Sequence, residues 1–286
     1  MARGLDHIVH AVRDLDAAAA SYQRLGFTVG ARNRHPWGTH NRLVQFPGFF
    51  IELLTVAEPD RLGADALSRL FGAPNRDFLE RHEGFWGLLL ESRDAAADAA
   101  QFRDAGIPAS AAVRFEREGK RPDGTSVKVA FSLAFARDAR AEAGFAVCQQ
   151  HFPESFWSPA FQSHRNGASG VAGVVMVAEN PSDHHVFLSA FTGERELLAT
   201  SSGISVKTPR GTIDVMTPEA YAAHFDVAPP ALTQGARLAA LILTVRDGAN
   251  VAALLDGARV ATASRMGRII VGPDTMMGAA IVFAQR

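Results

Sequence analysis

One local grammar recurs four times along the chain, and it limits the fold more than any other feature. A short apolar strand runs into an Asp or Asn, a helical stretch comes next, and a Gly closes it. The copies span residues 7–14 with a helix over 15–25 and Gly26, and residues 87–94 with a helix over 95–105 and Gly106. The third spans 173–180 with a helix over 181–192 and Gly193, and the fourth 240–247 with a helix over 248–256 and Gly257. Asp14, Asp94, Asn180 and Asp247 can each accept backbone N–H bonds at a helix start. The glycines suit the left-handed residue that ends a helix.

Strand–helix pairs are common, so four unrelated pairs would look the same to this point. The segments after each helix separate the two readings, because strand-like runs appear there with no further long helix inside the unit. After the first helix come residues 27–30, 42–46 and 49–54, with Pro47-Gly48 as the turn between the last two. The second unit continues with 111–115, 126–136 and 145–150, and residues 120–124 carry a turn signature. The third ends on 211–216 and the fourth on 278–283. One strand, one helix and three strands per unit give an α+β fold of four βαβββ units. Residues 1–150 and 170–286 are then two modules of paired units, because sequential elements are usually neighbours. The aromatic stretch 151–169 joins them. Residues 58–82 read as a connector inside the first module, with a helix over 65–70.

Composition narrows the function classes. Hydrophobic residues make up 47% and charged residues 21%, enough apolar material for a substantial core. The formal net charge is −1 with the arginines scattered, which argues against a nucleic-acid binder. No apolar run reaches a membrane-spanning length, and the first residues show no secretory pattern. The single cysteine, Cys148, lies in an apolar strand and reads as a buried small hydrophobe; it fits a reducing cytoplasm. The expected partner is a small molecule, and the chain is compatible with a homodimer.

Chemistry-bearing residues concentrate in the first unit. Strand alternation puts His7, Val9 and Ala11 on one face and Ile8, His10 and Val12 on the other. If the Ile8/Val12 face meets the helix, His7 looks into a cavity and His10 is a satisfied structural histidine. Glu52 stands in an otherwise apolar strand, where a carboxylate is costly unless it is paired or bound to a metal; Arg42 is the alternative partner. Around Gly38, His35, Trp37, Thr39 and Asn41 gather an imidazole, an indole, a hydroxyl and an amide. That mixture suits an apolar substrate pocket with a few orienting groups, or an ordinary turn. His184-His185 are adjacent on the third helix and read as solvated.

A tandem βαβββ repeat with Leu5-Asp6-His7-Ile8-Val9 on its first strand and Ile51-Glu52-Leu53-Leu54 on its fourth resembles the vicinal oxygen chelate superfamily. The segment from Arg34 to Arg42 resembles its glyoxalase-like branch. The resemblance implies glyoxalase/bleomycin-resistance/dioxygenase-like modules, whose curved sheets enclose a cavity, usually with a divalent metal. It carries His7 and Glu52 over as metal ligands, for Zn, Mn, Ni or Fe(II), and Glu52 as the group that moves a proton. Gly87 stands where a second His is often supplied. Gln149 is the best match to Glu52 in the second unit, with His151 two residues on along the same face, and these two are the further candidate metal ligands. In the second half Gly173 and Ala240 replace His7, Val282 replaces Glu52, and Asp214 alone remains. The resemblance therefore implies a metal-dependent lyase or isomerase acting on a small oxygen-bearing molecule. The alternatives are a metal-free binding protein of the antibiotic-sequestering kind and an extradiol-type dioxygenase; the latter would normally want the His that Gly87 replaces.

Overall fold

The protein is described by a computed structural model covering residues 1–120 and 124–285, so the turn expected over 120–124 falls partly outside the described residues. Three of the four expected helix caps form. Asp14, Asp94 and Asp247 each accept two backbone N–H bonds from the first turn of their helix. Asn180 makes no side-chain cap; Pro181 instead opens a 3-10 turn over Pro181–His184 that leads into the helix.

The first unit contains β1 (Leu5–Ala11), α1 (Leu15–Arg24), β2 (Asn33–Arg34), β3 (Thr39–Phe46) and β4 (Phe49–Val56). The connector is more helical than its sequence suggests, with a π-turn over Ser68–Gly72 running into α2 (Ala73–Arg81). Pro74 explains the wide turn. It has no N–H to bond the carbonyl four residues back, so the ladder slips and the Ala73 N–H bonds Ser68 O. The second unit has β5 (Gly84–Glu91), α3 (Ala95–Asp104), β6 (Val113–Lys120), β7 (Ser126–Ala136) and β8 (Gly144–Gln150), followed by the short α4 (Pro153–Phe156). The third has β9 (Ala168–Val177), α5 (His185–Thr192), β10 (Leu197–Thr200), β11 (Gly203–Lys207), β12 (Thr212–Met216) and α6 (Pro218–Phe225). The fourth has β13 (Arg237–Val245), α7 (Gly248–Gly257), β14 (Ala263–Arg265), β15 (Arg268–Val271) and β16 (Ala280–Gln285).

The strands form two eight-stranded sheets, ordered β2-β3-β4-β1-β5-β8-β7-β6 and β10-β11-β12-β9-β13-β16-β15-β14. Each sheet joins two consecutive units through the antiparallel pairing of their first strands, β1 with β5 and β9 with β13. The helices α1, α3, α5 and α7 lie between the sheets. Tyr22, Phe102, Leu188, Phe191 and Leu255 share one core with Ile8, Leu88, Val174 and Leu241. His10 points into this core, where Tyr22 Oη and the Met277 carbonyl are its partners, so it is structural. His184 is not solvated. The 3-10 turn brings it inward, 2% exposed, with Nδ1 2.6 Å from Asp138 Oδ2 in the loop between β7 and β8, while His185 stays exposed. No helix among the described residues is long and apolar enough to cross a membrane.

Candidate active site

Each sheet has a second face, turned away from the helices. On the first sheet this face carries Val9, Ala11, Leu54, Leu89 and Ala146, and it curls around a cavity with about 550 Å³ of empty space, part of it open to solvent. His7, Glu52, His35, Trp37 and Asn41 line it together with Phe50, Phe115, Phe131 and Phe156. Arg117 and Cys148 line it as well. Thr39 is fully buried behind the wall and reaches the site only through His35.

A β-bulge gives this cavity a group that alternation does not reveal. Leu5 pairs with Leu90 but His7 pairs with Leu89, so Asp6 is an extra residue on β1. Two consecutive side chains at a bulge can leave on the same side of the sheet. Asp6 and His7 are both buried, with Asp6 Oδ1 2.5 Å from His7 Nδ1. Gln150 Nε2 donates to the other Asp6 oxygen at 3.0 Å. The Asp6 contact assigns the proton of His7 to Nδ1. The free Nε2 then faces Glu52 Oε2, 3.9 Å away. Phe50 stacks on the imidazole at 4.2 Å between centroids and fixes its plane.

Glu52 is held from the other side. Asn33 Nδ2 donates to Asn41 Oδ1 at 3.1 Å, which leaves Asn41 Nδ2 to donate to Glu52 Oε1 at 2.5 Å. Arg42 is not its partner, because Arg42 pairs with Asp16 at 2.9 Å. Burial raises the Glu52 pKa, and the attraction of His7, the Asn41 bond and the charge of Arg117 partly offset that rise. His35 stacks on Trp37 at 4.5 Å with Nδ1 2.8 Å from Thr39 Oγ1. Burial pushes its pKa down to about 3, so it stays neutral. Cys148 is buried as expected, and its thiol is pushed up by burial and by the neighbouring carboxylates of Asp6 and Glu52. Asp6, His7 and Cys148 form a buried cluster whose ligand-type atoms all lie within 4.8 Å of one another.

Two of the four expected metal ligands are not brought to the site. Val9 pairs with Glu52, and its counterpart Leu89 pairs with Ala146, so Ala146 and not Gln149 occupies the Glu52 position in the second unit. Gln149 matches Thr55. Both side chains reach the carbonyl before their unit's helix cap, Thr55 that of Arg13 and Gln149 that of Arg93. An offset of three residues along a strand reverses the face. His151, just beyond β8, rests its Nε2 on Ser132 Oγ at 2.8 Å and does not line the cavity. A divalent ion would therefore find His7 Nε2 and a Glu52 oxygen as its converging ligands, with Cys148 nearby and Asp6 holding the imidazole. This donor set fits an ion whose remaining positions face the cavity.

Three polar or reactive groups escape sequence reasoning: Asp6, which contacts His7 from behind, and Cys148 and Arg117, which line the cavity. The sequence signal for Arg117 is its spacing of two from Phe115 on the same strand.

The sequence profile of the glyoxalase-like domain matches residues 5–192. No curated protein matches the chain in sequence. Among solved structures, a hypothetical protein from Staphylococcus aureus superposes with a TM-score of 0.71 at 13% identity, covering 99% of this chain and 100% of its own. A substituted 4-hydroxymandelate synthase from Streptomyces coelicolor gives 0.62 at 13% identity, covering 100% and 93%. A fusion of a xylose isomerase-like TIM barrel with 4-hydroxyphenylpyruvate dioxygenase gives 0.57 at 11% identity; all of this chain is covered, against 49% of the fusion. These likenesses establish the fold alone.

Proposed function

Because this chain belongs to the glyoxalase-like domain family of the vicinal oxygen chelate superfamily, we propose that its N-terminal cavity is the active site of a lyase or isomerase acting on a small oxygen-bearing molecule. One observation carries the reading: His7 Nε2 and Glu52 Oε2 face each other 3.9 Å apart at the end of an apolar cavity, each fixed from behind by its own polar partner. A gap of that size admits one bridging atom, either an ion or a substrate oxygen.

Asp6 keeps the His7 proton on Nδ1 and its lone pair toward the substrate. Asn41 aims the Glu52 carboxylate. Its raised pKa moves Glu52 toward the range where a carboxyl can both take and return a proton near neutral pH. The aromatic walls exclude water and confine the reacting oxygen between the two groups. A divalent metal held by His7 and Glu52 would supply Lewis acidity at that oxygen. The buried, protonated thiol of Cys148 suits a reducing cytoplasm.

Elemental analysis of untagged protein, reconstituted in turn with Zn, Mn, Ni and Fe(II), tests the metal. About one ion per chain in the wild type, lost in both His7→Ala and Glu52→Ala, supports the reading. Less than about 0.1 ion per chain with every metal overturns the metal-dependent form. The second reading, a metal-free binding protein, then takes its place. Gly87 and Ala146 favour it, because the second unit adds no ligand where the first has His7 and Glu52.

A further inference from the structure

We propose that Arg117 selects the charge of the ligand, and that the cavity takes a small carboxylic acid with a flat apolar body. The carboxylate would meet the guanidinium at the mouth, and the body would lie among the aromatic rings. The proposal rests on the proposed function only in taking the cavity as the ligand site.

Arg117 stands on β6, the last strand of its sheet. It shares a face with Phe115, and both line the cavity. Arg117 also lines two outer grooves that flank the cavity, one of them shared with Leu43, Gln45 and Phe156. It is therefore the charged residue shared by the interior and both grooves, whereas Leu43 and Phe156 reach only one of them.

Its neighbours on the same ribbon show what is unusual about it. Arg114 and Lys128, on the outward face, both pair with Glu116, at 3.3 and 2.9 Å. Arg117 has no carboxylate within 4.0 Å among the described residues. Its side-chain hydrogen bond to the Glu118 carbonyl is a long one, 3.4 Å. Partial burial without an anion disfavours the charged guanidinium, and the more distant Glu52 compensates only in part. A ligand carboxylate would supply the missing partner, with two parallel N–H···O bonds.

The opposite end of the cavity repels such a group. Glu52 sits there, with Asp6 on the far side of His7, so an anion is favoured only with its charge outward. Between the two ends the walls are flat: Phe115 stacks near Phe131 at 5.4 Å between centroids, and Phe50 covers His7. The cavity thus has a direction, with the cation at the mouth, rings in the middle and acid–base groups at the base.

Calorimetric titration with phenylacetate and with its neutral analogue phenylacetamide tests this. Phenylacetate should bind about tenfold or more tighter to the wild type. Arg117→Met should erase that preference while retaining phenylacetamide binding, and Arg117→Lys should keep part of it. Glu52→Gln should leave the preference in place, so a failure of the acid–base reading is seen separately from a failure here. Equal affinities in the wild type, a preference that survives in Arg117→Met, or no binding of either compound would each overturn the proposal.

Discussion

The two sheets of this protein are built on one plan, yet only one of them is hollow. All four first strands carry the bulge near the same point, with Asp6-His7, Trp86-Gly87, Ala172-Gly173 and Ala239-Ala240 as the equivalent pairs. The bulge belongs to the fold, because it curls the sheet. Only the first copy carries an Asp-His pair there. In the second sheet the corresponding face is occupied by α6, whose Tyr221 and Phe225 pack with Val175, Ile242, Ile270 and Val282. Asp214 occupies the Glu52 position there, paired across to Val175 as Glu52 is to Val9. Its carboxylate is taken by the hydroxyls of Ser205 and Thr212, at 2.5 and 3.0 Å. A carboxylate satisfied by hydroxyls at a filled face is structural; one held at a single oxygen beside an open cavity is available for chemistry.

The most severe way to break this comparison is to exchange the two carboxylates for amides. Glu52→Gln should lower turnover of a screened substrate by about 10²–10⁴-fold. Asp214→Asn, measured in the same assay, should leave turnover unchanged. Equal losses in both would mean that the second sheet is also an active site. The converse holds for stability. Phe225→Ala empties the filled face and should cost about 3–5 kcal/mol in urea unfolding, with ligand binding in the first sheet intact at low denaturant.

Acid should also discriminate between the halves. The histidines that burial depresses, His10, His35, His82, His151 and His164, all stand before residue 170. His10 is lowered from 6.5 to about 4. The unfolded chain therefore takes up a proton at higher pH than the folded one. The stability due to a neutral His10 is complete above 6.5, is lost as pH falls from 6.5 toward 4, and amounts to about 3 kcal/mol over that window. Trp37, Trp86 and Trp157 all belong to the first half, so tryptophan fluorescence reports its unfolding selectively. The urea midpoint followed by fluorescence should drop between pH 7.5 and 4.5. A midpoint that does not move would overturn the assignment of His10 as a neutral core group.

Much of this plan is legible in the sequence, and the illegible parts have a common cause. The repeat can be read because a cap and a closing Gly are local requirements of a helix, and it fails in detail where Gly257 stays helical and Arg259 takes the left-handed position. The facing of His7 can be read because alternation holds from His7 to Val12. Asp6 is hidden because the bulge breaks alternation one residue earlier. Gln149 is misplaced because register is set by pairing partners far along the chain, and Ala146 gives no signal of its own. Arg117 is hidden because 113–116 alternates apolar and charged residues and 116–118 is charged throughout, like any solvated edge. Only curling of the sheet makes its Phe115/Arg117 face an interior one.

The mildest prediction bears on the bulge itself, and it asks whether Asp6 acts on chemistry or only on packing. In Asp6→Asn the bulge, the volume and the Gln150 contact can all persist, but the charge that holds the His7 proton on Nδ1 is gone. Loss of such a partner behind a ligating imidazole typically weakens metal binding or activity by about 10–100-fold. Zn affinity, followed by competition with a chromophoric chelator, should fall by that factor in Asp6→Asn. Nitrogen-15 NMR of the imidazole should show His7 shifting toward the other tautomer. If affinity and tautomer are both unchanged, Asp6 serves the bulge alone. The first strand of the first unit would then differ from its three counterparts by His7 only.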